Sequence, residues 1–143
     1  MAIHNTAVIA KDAVIPASCE IGPNTVIGED VVLGENVKIM ANAYLEHCEV
    51  GDGTLISPFA SLGTAPQDLS YKGQKTKSII GKNCIIMEYV TVNRAAGEDG
   101  EVGIHVLLVV AVDGPLFDVV LVSGEDLLAG ACLGVRLERL LVG

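Results

Sequence analysis

The sequence predicts an all-β chain wound as a parallel β-helix, a solenoid of short strands joined by tight corners. Three observations predict it. Aliphatic residues recur every six positions at Ile3, Ile9, Ile15, Ile21, Ile27, Leu33, Ile39 and Leu45, then slip by one residue and resume at Val50, Ile56 and Leu62. Four residues after most of these anchors stands something small or β-branched: Ala7, Ala13, Cys19, Thr25, Val31, Val37, Ala43, Thr54, Ala60. Glycine follows many anchors directly, as at Gly22, Gly28, Gly34, Gly51, Gly63 and Gly81. A helix repeats every 3.6 residues and a half-buried strand every two, so neither accounts for a period of six. A two-residue strand plus a corner does, and hexapeptide repetition is the mark of a β-helix. The anchor and the small residue point inward, and the glycine is expected to make the corner, where a Cβ would clash.

The coils run from the N-terminus to Leu62, where the beat is interrupted. It returns at Ile80, Ile86 and Val92, with Cys84 and Val90 in the small slots. From Leu62 to Ile80 is three hexapeptides' length, so the beat resumes in phase after a polar excursion at 64–79. In a solenoid each repeat touches only its neighbours, so such an insertion is extruded as a loop, often on the binding face. This loop carries Pro66, Gln67, Asp68, Tyr71, Lys72, Gly73, Lys75 and Lys77. Three of the chain's basic residues (Lys72, Lys75 and Lys77) crowd into it, although the net charge is −9. Local positive charge of this kind steers anionic partners, such as a nucleotide-sugar diphosphate or an acidic carrier protein. Gln67 and Asp68 offer hydrogen-bond partners to sugar hydroxyls or a base edge.

Composition narrows the classes. A net charge of −9 argues against a nucleic-acid partner, and two Phe, three Tyr and no Trp leave few stacking platforms. The scarcity of rings also suits a narrow coil interior. The opening MAIHNTAVIAKDAVIP lacks a basic start followed by an apolar run, and the longest apolar run, 106–112, is too short to span a bilayer. A cytoplasmic protein that does not span the membrane is expected. Cys19 and Cys84 fall in inward slots, and Cys48 and Cys132 show no ligand spacing, so buried free thiols are expected. His4, His47 and His105 lie far apart, and no metal site is expected.

FASLG at 59–63, APQDLSYKGQKTK at 65–77 and IIGKNCIIMEYVTVNRA at 79–95 together resemble the bacterial UDP-N-acetylglucosamine O-acyltransferases. The resemblance runs from about Ile3 to about Gly103. It implies a left-handed β-helix with three hexapeptides per coil, a homotrimer, and active sites in clefts between neighbouring subunits. It also implies the first step of lipid A synthesis. A hydroxyacyl chain passes from the thioester of acyl carrier protein, as co-substrate, to the 3-hydroxyl of UDP-N-acetylglucosamine, with no bound cofactor. Gln67 and Asp68 match the family's nucleotide-sugar contacts, and Asn93 and Arg94 match the turn at the edge of the same cleft. A histidine general base is expected in the coils just beyond.

There the likeness stops. Val102 resumes the beat and Leu108 keeps it, but Gly114 occupies the next anchor, followed by Pro115. The stretch 111–119, AVDGPLFDV, where the family's H-x-x-H-D type sequence belongs, contains no histidine. His105 stands one repeat before the expected place and is the one candidate left for a catalytic role. Residues 102–143 contain no Asn, Thr or Lys, and valine and leucine dominate them. The chain therefore divides into a β-helix at 1–103 and a divergent apolar tail at 104–143. The tail reads as two strands around Gly114–Pro115, then a helix from Ser123, forming a partial cap on the stack. The expectation is a truncated acyltransferase start, catalytically impaired. The alternative is a non-catalytic β-helix that binds a nucleotide sugar or only self-associates.

Overall fold

The structure is a computed structural model that describes residues 2–96 and the backbone of 101–104, 108–110 and 119–120. The chain winds as successive three-sided coils. The first contributes β1 (Ala2–Ile3) and β2 (Val8–Ile9), with Val14 bridging to Val32 on the third side. The second contributes β3 (Glu20–Ile21), β4 (Val26–Ile27) and β5 (Val31–Leu33). The third holds β6 (Lys38–Ile39), β7 (Tyr44–Leu45) and β8 (Cys48–Val50). The fourth holds β9 (Leu55–Ile56), β10 (Ser61–Leu62) and β11 (Lys77–Ile80). The fifth holds β12 (Ile85–Ile86), β13 (Thr91–Val92) and β14 (Glu101–Ile104). β15 (Leu108–Val110) opens a further coil, and β16 (Val119–Val120) pairs with it antiparallel.

From β1 to β15 each strand pairs in parallel with its equivalent in a neighbouring coil, which builds three sheets. Register stacks like on like. Ile3, Ile21, Ile39, Ile56 and Ile86 form one column, Ile9, Ile27, Leu45, Leu62 and Val92 a second, and Leu33, Val50 and Ile80 a third. From Ile21 onward the members of these columns are buried. Each such side chain contributes about 1.5–3 kcal/mol by leaving water, so the columns carry the fold. Small inward residues fill the space beside them. Two of the polar ones donate to a backbone carbonyl of the next coil: Thr25 Oγ1 to Met40 at 2.8 Å and Thr54 Oγ1 to Gly81 at 2.9 Å. Cys19 and Cys84 occupy such slots as expected, and Cys48 fills the equivalent slot on the third side between Val31 and Ser78. Burial pushes the Cys48 thiol up to about 12. Cys132 lies outside the described residues.

Three expectations change. The glycine after the anchor is needed because a Cβ would clash, as expected, but except at Gly63 it does not itself turn left-handed. At Gly22, Gly34 and Gly51 a Cβ would lie under 3 Å from backbone or side-chain atoms of the next coil, so glycine permits the close stacking of coils. The left-handed residues sit two positions later, at Asn24, Asp30, Asn36, Asn42 and Asn83, with φ between 53° and 59°. Asn and Asp tolerate that region because their short polar side chains hydrogen-bond locally. The second change concerns the start of the tail. Ile80 pairs with Ile104 and Ile86 with Val109, so Ile104 and Val109 hold the anchor register, not Val102 and Leu108. Val102 stands opposite Ser78, in the small-slot register. The excursion is also shorter than 64–79, because β11 begins at Lys77. The two apolar runs of the tail do supply strands, β15 and β16, while the helix expected from Ser123 and the cap lie outside the described residues. Among the described residues, no helix is long and apolar enough to cross a membrane.

Candidate functional site

The one-residue slip in the beat lies at a corner that later coils build on. Leu45 and Val50 are five apart, so the corner between β7 and β8 is a residue short, and His47 turns it in the left-handed region at φ 43°. His47 N–H donates to Glu29 O at 2.8 Å, and its Nδ1 lies 3.6 Å from Asp30. Directly above, register places Gly63 over Glu46, because Leu62 pairs with Leu45. Gly63 has φ 76°, and a Cβ there would meet Glu46 O at 1.7 Å. Only glycine fits, and here the chain leaves the coil.

The loop that leaves, residues 64–76, is fastened at its roots by the corner after β13. Asn93 Nδ2 donates to Thr64 Oγ1 (3.1 Å) and to Ala65 O (2.8 Å). Arg94 N–H donates to Thr64 O at 3.0 Å, and Thr76 Oγ1 donates to Ala95 O at 2.7 Å. The Arg94 side chain fastens the middle. Its Nε and Nη2 donate to the Tyr71 hydroxyl at 3.2 and 3.0 Å, and its Nη1 donates to Gly63 O at 2.7 Å and to Glu46 Oε1 at 3.0 Å. Tyr71 in turn donates to Gln74 O at 3.1 Å, and Tyr44 OH donates to Glu46 Oε2 at 2.9 Å. Burial works against the Arg94 charge, but Tyr71 and Glu46 outweigh it and hold its pKa above the ordinary arginine value. The Glu46 carboxylate raises the Tyr44 phenol.

Between these fastenings the loop shows its polar residues to solvent. Gln67, Asp68, Ser70, Lys72 and Lys75 are exposed, and Leu69 stands fully exposed beside them. Asp68 Oδ1 accepts the Ser70 N–H at 2.8 Å in a local turn, and that bond lowers its pKa below the usual carboxylate value. Tyr71 N–H closes the same turn on Asp68 O at 3.0 Å. The Ser70 hydroxyl lowers the Asp68 pKa further, so the carboxylate stays ionised.

The expected site residues therefore divide. Gln67, Asp68, Lys72 and Lys75 share the exposed loop. Asn93 and Arg94 come to the same place but spend their donors on the loop itself. Lys77 departs furthest from expectation. It lies on β11 with its ammonium 3.0 Å from Asp30 and 3.2 Å from Glu49, so its charge is already matched within the coils. His105 lies outside the described residues. Sequence reasoning missed Glu46, although the register of the repeat carried the signal: the residue after Leu45 must stack beneath those after Leu62 and Val92. Tyr71 was named on the loop but given no role, since its contact with Arg94 arises from loop closure. Among the described residues, no three His, Cys, Asp or Glu side chains are grouped to hold a metal.

Parallel three-sided coils of hexapeptides with a loop extruded at one corner define a parallel β-helix, left-handed as in the solved structures it matches. The family model of the GMPPB C-terminal domain matches residues 3–61. The acyl-carrier-protein-dependent UDP-N-acetylglucosamine O-acyltransferase of Rickettsia bellii is 39% identical over 99 residues, covering 68% of this chain and 34% of the relative. Its counterpart in Thermodesulfovibrio yellowstonii is 40% identical over 95 residues, 66% of this chain and 37% of the relative. Among solved structures, the UDP-N-acetylglucosamine acyltransferase of Bacteroides fragilis matches with 42% identity and a TM-score of 0.67 over 71% of this chain and 41% of its own. That of Francisella novicida matches at 35% identity and 0.70 over 72% of this chain and 38% of its own. The hexapeptide coils of this protein are similar in sequence and in fold to UDP-N-acetylglucosamine O-acyltransferases. The chain spans about a third of the length of the curated relatives it matches, 34–38%.

Proposed function

We propose that this chain forms the nucleotide-sugar side of a UDP-N-acetylglucosamine O-acyltransferase site and is itself impaired in acyl transfer. The observation that carries this reading is the clamped loop. Gln67 and Asp68 are held out from the corner on a segment fixed at both roots, so their polar groups are ordered before a ligand arrives. A preordered loop binds more tightly because less freedom is lost on binding. Asp68, ionised, exposed and part-satisfied by Ser70, has lone pairs left to accept hydrogen bonds from sugar hydroxyls. Lys72 and Lys75 offer positive charge to the diphosphate or to the acidic surface of acyl carrier protein.

The reaction of the intact site moves a hydroxyacyl chain from the carrier thioester to the 3-hydroxyl of UDP-N-acetylglucosamine, in the cytoplasm, on a homotrimer whose neighbours complete each cleft. The donor thioester needs no bound cofactor. Attack on the thioester needs a base to take the hydroxyl proton, and residues 111–119 supply no histidine. A missing general base costs about 10²–10⁴ in rate. Binding without efficient turnover is the expected behaviour.

Isothermal titration of the full chain with UDP-N-acetylglucosamine tests the binding half. The wild type is expected to bind, Asp68→Ala to bind measurably more weakly, and Asp68→Asn, which preserves the turn to Ser70, to fall between them. No binding by a folded wild type would overturn the reading in favour of a solenoid that only self-associates.

A further inference from the structure

Arg94 has little left to give a ligand. A guanidinium carries five N–H donors, and four bonds already run from it to Tyr71, Glu46 and Gly63. Its side chain is only 12% exposed. It joins three parts of the fold that are distant in sequence: the coil below through Glu46, the exit of the loop through Gly63, and the loop's far limb through Tyr71. We propose that Glu46, Arg94 and Tyr71 form a latch that sets the shape of the excursion loop, with all three as positioning residues for nucleotide-sugar binding. This deepens the function proposed above and rests on it for the ligand.

The chemistry favours a latch over incidental packing. Glu46 is itself oriented by Tyr44 OH, so its Oε1 is aimed before Arg94 arrives. Tyr71 accepts two N–H groups from one guanidinium and donates its own O–H to Gln74 O, which ties the limb carrying Lys72 and Lys75 to the coil. Gln74 also accepts the Lys72 N–H through Oε1 at 2.8 Å. Loss of the Tyr71 hydroxyl therefore frees the far limb while leaving the roots at Thr64 and Thr76 in place. Arg94 is planar and forked, so a lysine in its place reaches Glu46 but cannot also hold Tyr71.

Hydrogen–deuterium exchange of residues 64–76, read beside titration with UDP-N-acetylglucosamine, tests this on the full chain with Tyr71→Phe, Glu46→Gln and Arg94→Lys. Exchange in the loop is expected to quicken about tenfold or more in each variant, and the dissociation constant to rise by about tenfold, the scale of one charge-assisted hydrogen bond. Amides of β4, β7 and β9 should keep their protection. In the double variant Glu46→Gln, Tyr71→Phe the effects should not add, since both act through Arg94. Faster loop exchange with unchanged affinity would overturn the positioning role, and unchanged exchange would overturn the latch. If the wild type binds no nucleotide sugar, the proposed function and the ligand half of this inference fall together, and the exchange arm still decides whether the three residues order the loop.

Discussion

Two glycines of the excursion share a left-handed backbone but not a neighbourhood, and replacing each by alanine should separate strain from crowding. Gly73 has φ 88° and nothing within 4 Å of an added Cβ, whereas Gly63 has φ 76° and a Cβ there would meet Glu46 O at 1.7 Å and Glu46 C at 2.9 Å. Gly73→Ala therefore pays only for the left-handed backbone, about 1–2 kcal/mol. Gly63→Ala adds an overlap that only a backbone shift relieves. That shift parts β7 from β10 and moves the Gly63 carbonyl away from Arg94, 2.7 Å distant. Backbone displacement on a packed corner places the cost at about 3–5 kcal/mol, a large share of the about 5–15 kcal/mol typical of a domain. Urea denaturation followed by circular dichroism reads both. Equal midpoints for the two variants would refute the claim that the exit corner depends on the absence of a Cβ.

Other consequences are more local. Ser78 Oγ is buried and finds no hydrogen-bond partner among the described residues, so Ser78→Ala should stabilise by about 1 kcal/mol; a destabilised variant in urea would show that the hydroxyl is paired. Ile56→Ala empties a column position between Ile39 and Ile86 and should cost about 2–5 kcal/mol, read as a lowered midpoint. Burial pulls Asp30 up, but its bonds to Lys77 and His47 leave it below the ordinary value of 3.8, and Asp30 holds Lys77 above 10.5. The advantage of wild type over Lys77→Met should therefore be level between about pH 4 and pH 10, shrink as acid protonates Asp30, and shrink again as alkali neutralises Lys77. Both groups are partly exposed, so the advantage is about 1 kcal/mol or less. Denaturation midpoints across that range check both its sign and its window.

The coils were legible because six residues are the whole repeating unit: Ile21, Ile39 and Ile56 report their own register. The slip at Leu45–Val50 was equally plain, and it marks the corner on which the loop is built. What escaped was anything set between coils. The glycines recur for a reason that acts across the stack, so Gly34 reads as a corner until Asp52 of the next coil is seen beside it. Lys77 reads as a loop cation because its partners, Asp30 and Glu49, come from strands far back in sequence. Arg94 reads as a substrate contact for the same reason, since Glu46 and Tyr71 meet it only through register and loop closure. The tail's register failed because Ile104 to Val109 spans five residues, and an aliphatic-rich stretch offers a neighbour at every offset.

The function proposed for this chain is nucleotide-sugar binding with little acyl transfer. Single-turnover acyl transfer tests it most directly, with the chain in excess over UDP-N-acetylglucosamine and hydroxyacyl carrier protein, and the sugar product read by mass spectrometry. No acylated sugar above the no-protein control is expected from a chain that binds the nucleotide sugar. Acylated product that accumulates with time would contradict it, and loss of that product in His105→Ala would identify the base.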